Sequence, residues 1–397
     1  MSGRSAGRSR QRVAVVGGGV VGLAVARELA RDGNEVTVFD DRPGAGASSA
    51  AAGMLAPVSE AAYEETELLA LGLAAAAGWP EFAATLRDES GIDPQLHRAG
   101  SLLVGFDADD SRAQHRFAEL LDRHAVQWSV LDPVEIRRLE PGLNPALLSG
   151  MYVPGDHSVD PRAVTAALLA VLDRLGVVVV RRRVSVGIAD GTVTGVRTIR
   201  DADEPDRSSD TEHPAEVVVV AAGAGSGCAL GLPDWVRPPT RPVKGQALRL
   251  RGRPGLLGRT VRASVRGDRV YLVPRENGDV VVGATSEEGL SDRAVTARAV
   301  HDLLRAALTV LPDLGECELA ETIARSRPGT PDNGPIIGRT PIGGLLHATG
   351  HYRGGVLLAP ITATAIAALV RDEDVDPLLR PFAPERFAAG LAEKGTR

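Results

Sequence analysis

Apolar and polar positions near the N-terminus form a strand, turn, helix, strand pattern. Val13 to Val16 is a short β-branched run, three glycines follow it, and a periodic apolar segment runs from Val20 to about Asp32. This order predicts a strand, a tight turn and a helix. Gly33 and Asn34 end the helix, and residues 35–40 read as a second strand. The pattern therefore predicts a βαβ unit.

The rest of the chain alternates between helical periodicity and apolar runs. The pattern predicts helices at residues 61–86, 112–124, 162–175 and 356–370, and strands at residues 101–106, 177–180, 217–222 and 345–349. Residues 177–180 and 217–222 are continuous apolar runs, which is typical of buried strands, and residues 345–349 are also expected to form a buried strand. Between residues 241 and 283, the segments KGQALRL, RVYLVPR and DVVVGAT alternate with turn residues, as in an antiparallel sheet. Residues 201–213 read as a solvated loop.

These elements predict an α/β fold, α+β overall, with two lobes. One lobe is a discontinuous Rossmann-like nucleotide-binding domain, and the other is a mainly antiparallel β lobe. We assign residues 12–95, 150–235 and 322–397 to the first domain and residues 96–149 and 236–321 to the second. Residues 1–11, which are rich in Ser, Gly and Arg, are predicted to be a disordered tail.

Composition narrows the class of protein. The 397 residues are 44% hydrophobic and 24% charged, with a formal net charge of -6, which is ordinary for a globular protein and argues against a nucleic-acid binder. The two cysteines, Cys228 and Cys317, have no CxxC spacing, so neither a disulfide framework nor a metal site is predicted. No signal peptide and no uninterrupted apolar run of membrane-spanning length is evident. We expect a cytoplasmic protein that does not bind membranes.

The glycines after the first strand indicate a dinucleotide site. Gly17, Gly19 and Gly22 form GxGxxG between a strand and a helix, and Asp40 ends the second strand. The glycines allow a tight turn, a close approach to pyrophosphate and close helix packing, while the acid suits a ribose hydroxyl pair. An acid at this place disfavours NADP. A tight turn without a ligand is the alternative, but it does not explain Asp40.

The motif alone does not separate FAD from NAD. The segment RPGAGASSAAAGMLAP follows Asp40 and consists largely of small residues, which permit close backbone approach to a bulky ligand. Its Ser48 and Ser49 are able to donate to phosphate or ribitol oxygens. A tightly packed helix N-terminus capped by serine is the alternative interpretation.

The ordered set of motifs resembles a known family. The segments GGGVVGLAVARELA, VTVFD, SSAAAGM, RVYLVPR, RPGTPDNGPIIG and GHYRGGVLLAP are similar to those of the D-amino-acid oxidase superfamily, and most closely to its glycine oxidase branch of thiazole (thiamine) biosynthesis. The resemblance covers essentially the whole chain after residue 11. It implies a discontinuous FAD-binding domain and an antiparallel substrate-binding lobe.

The resemblance also implies roles for individual residues. Arg327 would hold the substrate carboxylate through its planar fork, Tyr271 would donate its hydroxyl to the same carboxylate, and Arg353 would lie by the flavin near the substrate; these three are the candidate catalytic residues. Ser286 would line the substrate pocket, where the glycine oxidase branch has a larger apolar side chain. The implied FAD contacts are Gly17, Gly19, Val20, Val21, Gly22, Asp40, Asp41, Ser48, Ser49, Ala52, Gly53, Met54, Val184, Gly223, His351, Tyr352, Arg353, Gly354, Gly355, Val356 and Leu357.

Several of these assignments have alternatives. Without the resemblance, Tyr271, Arg327 and Arg353 read as a core tyrosine and interdomain ion-pair arginines. The FAD contact near Val184 falls on Ser185 if the register shifts by one residue. The glycines of GHYRGG let backbone amides and a helix N-terminus face the flavin; the alternative is an ordinary glycine-rich connection between a strand and a helix. His351 is expected to be a structural or flavin-contact residue.

The expected activity is FAD-dependent oxidative deamination of glycine with O2 as acceptor. The alternatives are a D-amino-acid or sarcosine oxidase or dehydrogenase of the same superfamily, and a noncatalytic flavin-binding protein. Relatives with covalent flavin have a cysteine in the RPGTPDN region, and this chain has none there, so noncovalent FAD is expected. The resemblance further implies a homotetramer and a hand-off of the imine to a thiazole synthase.

Overall fold

The computed structural model describes residues 10–199, 210–265 and 267–387. The strands are β1 Arg12–Val16, β2 Glu35–Phe39, β3 Met54–Leu55, β4 Ser101–Gly105, β5 Ser129–Leu131, β6 Ser149–Val153, β7 His157–Ser158, β8 Val178–Val180, β9 Val184–Ala189, β10 Thr192–Thr198, β11 Glu212–Pro214, β12 Val217–Val220, β13 Arg241–Arg251, β14 Thr260–Val265, β15 Asp268–Pro274, β16 Asp279–Gly283, β17 Glu287–Glu288, β18 Glu318–Gly329, β19 Ile336–Arg339 and β20 Leu345–Thr349. The helices are α1 Val20–Arg31, α2 Ala47–Ala50, α3 Thr66–Ser90, α4 Ala108–Arg123, α5 Pro133–Leu139, α6 Pro161–Arg174, α7 Ala297–Val310 and α8 Gly355–Val370. The predicted tail, residues 1–11, lies outside the described residues except for Arg10 and Gln11.

A six-stranded sheet in the order β19-β20-β12-β1-β2-β8 forms the first lobe, and all its pairs are parallel except β19 with β20. Alternate residues of its strands point to opposite faces. Val15 and Val219 bury one face against α1, α3, α6 and α8, while Ala14 and Val218 bury the other against the small sheet β9–β11. Both faces are therefore covered, as parallel sheets require.

A nine-stranded sheet forms the second lobe in the order β17-β13-β16-β15-β14-β4-β6-β5, with β18 also paired to β13. All its pairs are antiparallel except β14 with β4. Leu272 and Val282 pack with Leu303 of α7 on one face. On the opposite face, Tyr271 and Val273 pack with residues that follow β2 in the chain. This second face is therefore the one that meets the nucleotide lobe.

The predicted fold class is confirmed, and several details differ from the sequence prediction. Residues 177–180 are not a buried strand, because β8 is the edge strand of its sheet and Val178 is 58% exposed. The domain boundaries drawn at 149/150 and 321/322 fall inside β6 and β18, whose ladders belong wholly to the second sheet. The predicted loop 201–213 contains the first residues of β11, and residues 200–209 lie outside the described part.

The predicted helix over residues 61–86 begins only at Thr66, and it has the length and apolar composition of a membrane-spanning helix. By position, however, α3 is a core helix. Leu71, Trp79 and Leu86 are fully buried in the cluster that α8 and α6 share, and the Trp79 indole donates to the Leu357 carbonyl at 2.8 Å. Its late start leaves residues 56–65 as turns that lie along the site described next.

Candidate active site

The turn between β1 and α1 explains why each glycine of the motif is needed. Gly17 has φ +118°, and a Cβ there would lie 2.3 Å from the Ala221 carbonyl oxygen, while a Cβ on Gly22 would lie 2.0 Å from the oxygen of Gly17. These two glycines are required by the protein's own packing. A Cβ on Gly19 would meet only the Ser48 hydroxyl, at 3.5 Å. Gly19 therefore keeps open the space above the α1 N-terminus, where an anion is favoured.

Asp40 lies at the end of β2 beside this turn. Its carboxylate accepts the Gly18 amide at 2.6 Å and the Arg42 amide at 2.7 Å. Burial raises the pKa of Asp40 above its ordinary value, although the two amide bonds act in the opposite direction. Because the carboxylate lines the same open space as Gly19, it is placed to accept hydroxyl groups of a bound ribose.

The small-residue segment after Asp40 folds as turns around the short helix α2. Ser48 accepts the Val20 amide at 3.0 Å, so its hydroxyl proton remains free for a ligand. Ser49 instead donates to the Gly46 carbonyl at 2.8 Å and does not line the cavity. The expectation that both serines face a ligand therefore holds geometrically for Ser48 alone.

Three arginines from distant parts of the chain hold the carbonyl groups of this segment. Arg325 donates to the Ala45 oxygen, Arg162 to the Ser49 oxygen and Arg275 to the Ala52 oxygen, at 2.9, 2.9 and 2.6 Å. Arg275 is buried, which lowers its pKa to about 10. Arg325 and Arg275 thereby fix the backbone of the segment to the second lobe, and Arg162 fixes it to α6 of the first. No pattern in the local sequence predicts these three contacts, and none of them was expected.

One cavity of about 1380 Å³ joins these features. It runs from the N-terminus of α1, past the small-residue segment, to the N-terminus of α8 and the exposed face of the second sheet. The residues assigned from the sequence that line it are Gly19, Val20, Val21, Asp40, Asp41, Ser48, Ala52, Gly53, Met54, Gly223, Tyr271, Ser286, Arg327, His351, Tyr352, Arg353, Gly355 and Val356. The assigned residues outside its lining are Gly17, Gly22, Ser49, Val184, Gly354 and Leu357. Val184 instead packs in a core cluster with Phe39, so its cofactor contact stays a prediction.

Tyr271 and Arg327 lie together at the sheet end of the cavity. Arg327 donates to the Thr285 carbonyl at 3.1 Å, and within the described residues no carboxylate pairs with it. Burial raises the pKa of Tyr271, while the nearby Arg327 lowers it. Glycines make room for both side chains, since a Cβ on Gly245 would lie 2.5 Å from the Arg327 guanidinium and one on Gly283 would lie 2.2 Å from the Tyr271 hydroxyl. An unpaired guanidinium beside a phenol is a suitable site for a carboxylate.

Arg353 reaches the same cavity from the turn before α8. Its guanidinium lies 3.5 Å from the Glu65 carboxylate and 5.0 Å from the centre of the Tyr352 ring. Asn333 also donates to Glu65, at 2.9 Å. Among the described residues, Arg353 thus has a carboxylate partner and Arg327 has none, so the two arginines are not equivalent.

A second ion pair on this side was missed in the sequence. Arg262, which lies directly opposite Tyr271 on the neighbouring strand, donates to Glu60 at 3.0 Å. The turn that carries Glu60 is held by Asp156, whose carboxylate accepts the amides of Val58 and Ser59 at 3.2 and 3.0 Å. Burial raises the pKa of Asp156 to about 6. Only the fold brings these residues together, because they lie in three separate segments.

His351 is a structural residue by its surroundings. It is buried, its Nε2 lies 2.9 Å from the Thr362 hydroxyl, and burial lowers its pKa to about 3. The imidazole is therefore neutral near neutral pH, and it anchors the turn that begins α8. This agrees with the expectation that it has no acid–base role.

A family model described as FAD dependent oxidoreductase matches residues 12–369. The chain belongs to this family. It is 36% identical over 386 residues to the glycine oxidase of Geobacillus kaustophilus, covering 95% of this chain and 97% of the relative. The crystal structure of that glycine oxidase matches with a TM-score of 0.85 and 33% identity, covering 95% of this chain and 99% of the other.

Two further proteins that are similar to this chain are not named glycine oxidase. The bifunctional protein ThiO/ThiG of Trichormus variabilis is 33% identical over 377 residues, and the match covers 94% of this chain but 55% of the relative. This chain thus spans about half the length of that bifunctional relative. Iminodiacetate oxidase from Chelativorans sp. BNC1 matches with a TM-score of 0.82 and 28% identity, covering 94% of this chain and 99% of the other. The chain is thus an FAD-dependent oxidoreductase by family, and its similarity extends to proteins named glycine oxidase and ThiO.

The residues present fit FAD. The open space over Gly19 and the α1 N-terminus suits a pyrophosphate, and Asp40 suits a ribose. At the other end, the N-terminus of α8 lies beside Gly355 and Val356 in the cavity lining, where its dipole favours negative charge on a reduced flavin. Between them, Ala52, Gly53 and Met54 leave a wall of small and flexible side chains.

Proposed function

We propose that this protein oxidises glycine, and other small amines or D-amino acids such as sarcosine and D-alanine. Glycine, water and O2 would give glyoxylate, ammonia and hydrogen peroxide by way of an imine. The observation that carries the proposal is the unpaired Arg327 guanidinium beside Tyr271, on the wall of the cavity that also receives the α8 N-terminus. FAD, when bound, supplies the acceptor for the hydride and its electron pair.

The protein's own groups bind and orient the substrate. Arg327 holds the carboxylate through two parallel N–H bonds, and Tyr271 donates its hydroxyl to the same group. Burial raises the pKa of Tyr271, so the phenol keeps its proton at neutral pH. Fixing the carboxylate in this way limits the positions open to the amino group and the Cα–H bond of a small amino acid, so that the Cα–H bond is held in a reactive orientation.

Ser286 supports a second candidate within the same reaction class. It lines the cavity where a larger apolar side chain was expected in the glycine oxidase branch, so a D-amino acid or an N-substituted glycine has more room. The iminodiacetate oxidase relative acts, by its name, on an N-substituted glycine. D-Alanine, sarcosine and iminodiacetate therefore belong in the substrate panel.

The wider context is proposed from the relatives. In the bifunctional relative the ThiO part is joined to ThiG, which supports delivery of the imine to a thiazole synthase. We further propose noncovalent FAD, a homotetramer and a cytoplasmic location.

The deciding experiment is an anaerobic spectral titration. The purified protein should show a flavin spectrum, and glycine, sarcosine or D-alanine should bleach its visible band, with peroxide appearing once O2 is admitted. A flavin band that no amino acid or amine in the panel bleaches would overturn the proposed activity.

A further inference from the structure

The cavity continues beyond Tyr271 along the exposed face of the second sheet. Arg269 precedes Tyr271 by two residues on β15, so it lies on the same face about 7 Å further along the strand. Ser264 faces Arg269 on β14, and α4 packs on the adjacent strands β4 and β6 of the same sheet. We call this region the distal pocket; its lining includes Leu103, Ala113, Arg116, Phe117, Ser264 and Arg269.

The distal pocket contains positive charge that the protein does not neutralise. Arg269 and Arg116 are exposed, and within the described residues neither has an ion-pair partner. The other cavity arginines differ, because Arg262 pairs with Glu60 and Arg353 with Glu65. Asp110 also lines the pocket, but its carboxylate accepts the Phe106 amide at 2.9 Å and pairs with neither arginine.

The distal pocket combines apolar and cationic side chains. Leu103 and Phe117 are partly buried apolar side chains of one core cluster, and they line the same cavity as Tyr271 and the two arginines. Methylene groups pack against such side chains, while a terminal carboxylate meets the guanidinium groups at the rim.

We propose that the distal pocket binds a second carboxylate, so that the substrates of this enzyme include acidic amino acids of glutamate size. This inference rests on the proposed function, which places the first carboxylate at Arg327 and Tyr271. The net oxidation is unchanged: the Cα–H bond and one N–H bond of the substrate break to give an imine, and the two hydrogens with two electrons reduce O2 to hydrogen peroxide, for which bound FAD would supply the carrier. Water then hydrolyses the imine to a 2-oxo acid and ammonia.

The test compares two substrates that differ only in charge. D-Glutamate should be oxidised with a higher kcat/KM than D-glutamine, by about 4- to 25-fold, since an exposed ion pair changes affinity by about 2- to 5-fold and two arginines act here. Arg269→Gln and Arg116→Gln should each lower this ratio by about 2- to 5-fold, and the double variant should bring it close to 1. Arg269→Lys should retain part of the preference, because it keeps the charge.

Arg293→Gln is the matched control. Arg293 is also exposed, lines the same cavity and has no ion-pair partner within the described residues, but it lies near Arg325, which donates to the small-residue segment. The ratio should be unchanged in this variant. An equal fall in Arg293→Gln would show a diffuse positive field and overturn the distal pocket.

A binding measurement separates this inference from the proposed activity. Glutarate should perturb the flavin spectrum of the holoenzyme at lower concentration than its monoamide, glutaramate, and Arg269→Gln should remove the difference. If glycine bleaches the flavin while D-glutamate and D-glutamine are equal and glutarate has no advantage, the distal pocket is wrong and the proposed function stands. If no amino acid bleaches the flavin but glutarate keeps its advantage, the proposed function is wrong and the distal pocket stands as a carboxylate site.

Discussion

At the scale of single residues, the unpaired guanidinium of Arg327 gives the sharpest expectation. Arg327→Ala should leave FAD bound but lower kcat/KM for glycine about 30- to several-thousand-fold, since truncating one partner of a desolvated charged pair costs about 2 to 5 kcal/mol. Arg327→Lys should restore only part of the loss, because an ammonium cannot make two parallel hydrogen bonds. Steady-state kinetics with flavin content measured in parallel check this.

Methylamine is the control substrate for Arg327. It lacks a carboxylate, so it should be a poor substrate for the wild type and should lose far less activity on mutation. Near wild-type kcat/KM for glycine in Arg327→Ala would remove the basis for placing the carboxylate here.

Two buried histidines contribute to the response of the fold to acid. Burial lowers the pKa of His351 to about 3 and that of His347 to about 4, whereas an unfolded histidine titrates near 6.5. Between these values the unfolded chain binds more protons, so stability is present above pH 6.5 and is lost as the pH falls. Each histidine should lower the free energy of unfolding by about 2 kcal/mol as the pH falls from 6.5 to 4.5. Asp156 acts in the opposite direction, because its raised pKa lets the folded state bind its proton first.

The measurement is the melting temperature as a function of pH. His351→Gln keeps a partner for Thr362 and should flatten the decline of Tm between pH 6.5 and 4.5. His301→Gln removes an exposed histidine of α7 and serves as the matched control. Identical pH dependence in the wild type and His351→Gln would show that this imidazole does not contribute to the acid limb.

At the scale of elements, the β1–α1 turn separates folding from ligand binding. Gly19→Val places its side chain in the open space of the cavity, so the protein should fold but contain little FAD. Gly17→Ala places a Cβ against the Ala221 carbonyl at positive φ and should lower the free energy of unfolding by at least about 2 kcal/mol. Flavin content and thermal unfolding of both variants distinguish these effects. Normal flavin content in folded Gly19→Val would place the cofactor elsewhere.

The sequence predicted an element well where the residues that determine it are close together in the chain, and poorly where they are far apart. The β1–α1–β2 unit was predicted closely because β-branched runs, glycines and helical periodicity are all local signals. The edge position of β8 was not, since four valines read the same whether or not a neighbouring strand covers them. The late start of α3 was missed too: residues 61–65 favour helix by composition, but Glu65 contacts Asn333 and Arg353, which are distant in sequence.

The same distinction applies to the candidate site. Tyr271, Arg327 and Arg353 were identified through motifs, and the cavity brings all three to its lining. The arginines that hold the small-residue segment, the pair of Glu60 with Arg262 and the buried Asp156 carry no motif. Their positions follow from pairing between strands of different segments, which single-sequence reasoning does not reach.

At the scale of the whole molecule, the cofactor cavity lies between two lobes with separate cores, so a bound ligand should stabilise both. Adding FAD to the apoprotein at about 100 times its Kd should add about 2.7 kcal/mol to the free energy of unfolding. Calorimetry should then show one transition at a higher temperature. A first-lobe transition that shifts alone would contradict a ligand that contacts both lobes.

The mode of FAD attachment is tested on the same material. Acid or heat should release intact FAD into the supernatant, as noncovalent binding requires. Cys228 lines the cavity and is a free thiol. Flavin that stays with the precipitated wild type and is lost in Cys228→Ser would therefore contradict noncovalent binding and identify the attachment point.

The strand order of the first sheet also has a consequence for synthesis on the ribosome. β12 lies between β1 and β20, so its fully apolar run emerges with one edge open and stays so until residues 345–349 have left the exit tunnel. The face of α1 that packs on α8 stays uncovered still longer, until residue 370 has been synthesised. For more than a hundred residues of translation, the nascent chain therefore presents a valine strand with one unpaired edge. Such edges are bound by chaperones and lead to aggregation when chaperones are too few. Slower translation, or a higher level of a chaperone that binds nascent chains at the ribosome, should raise the soluble yield of this protein.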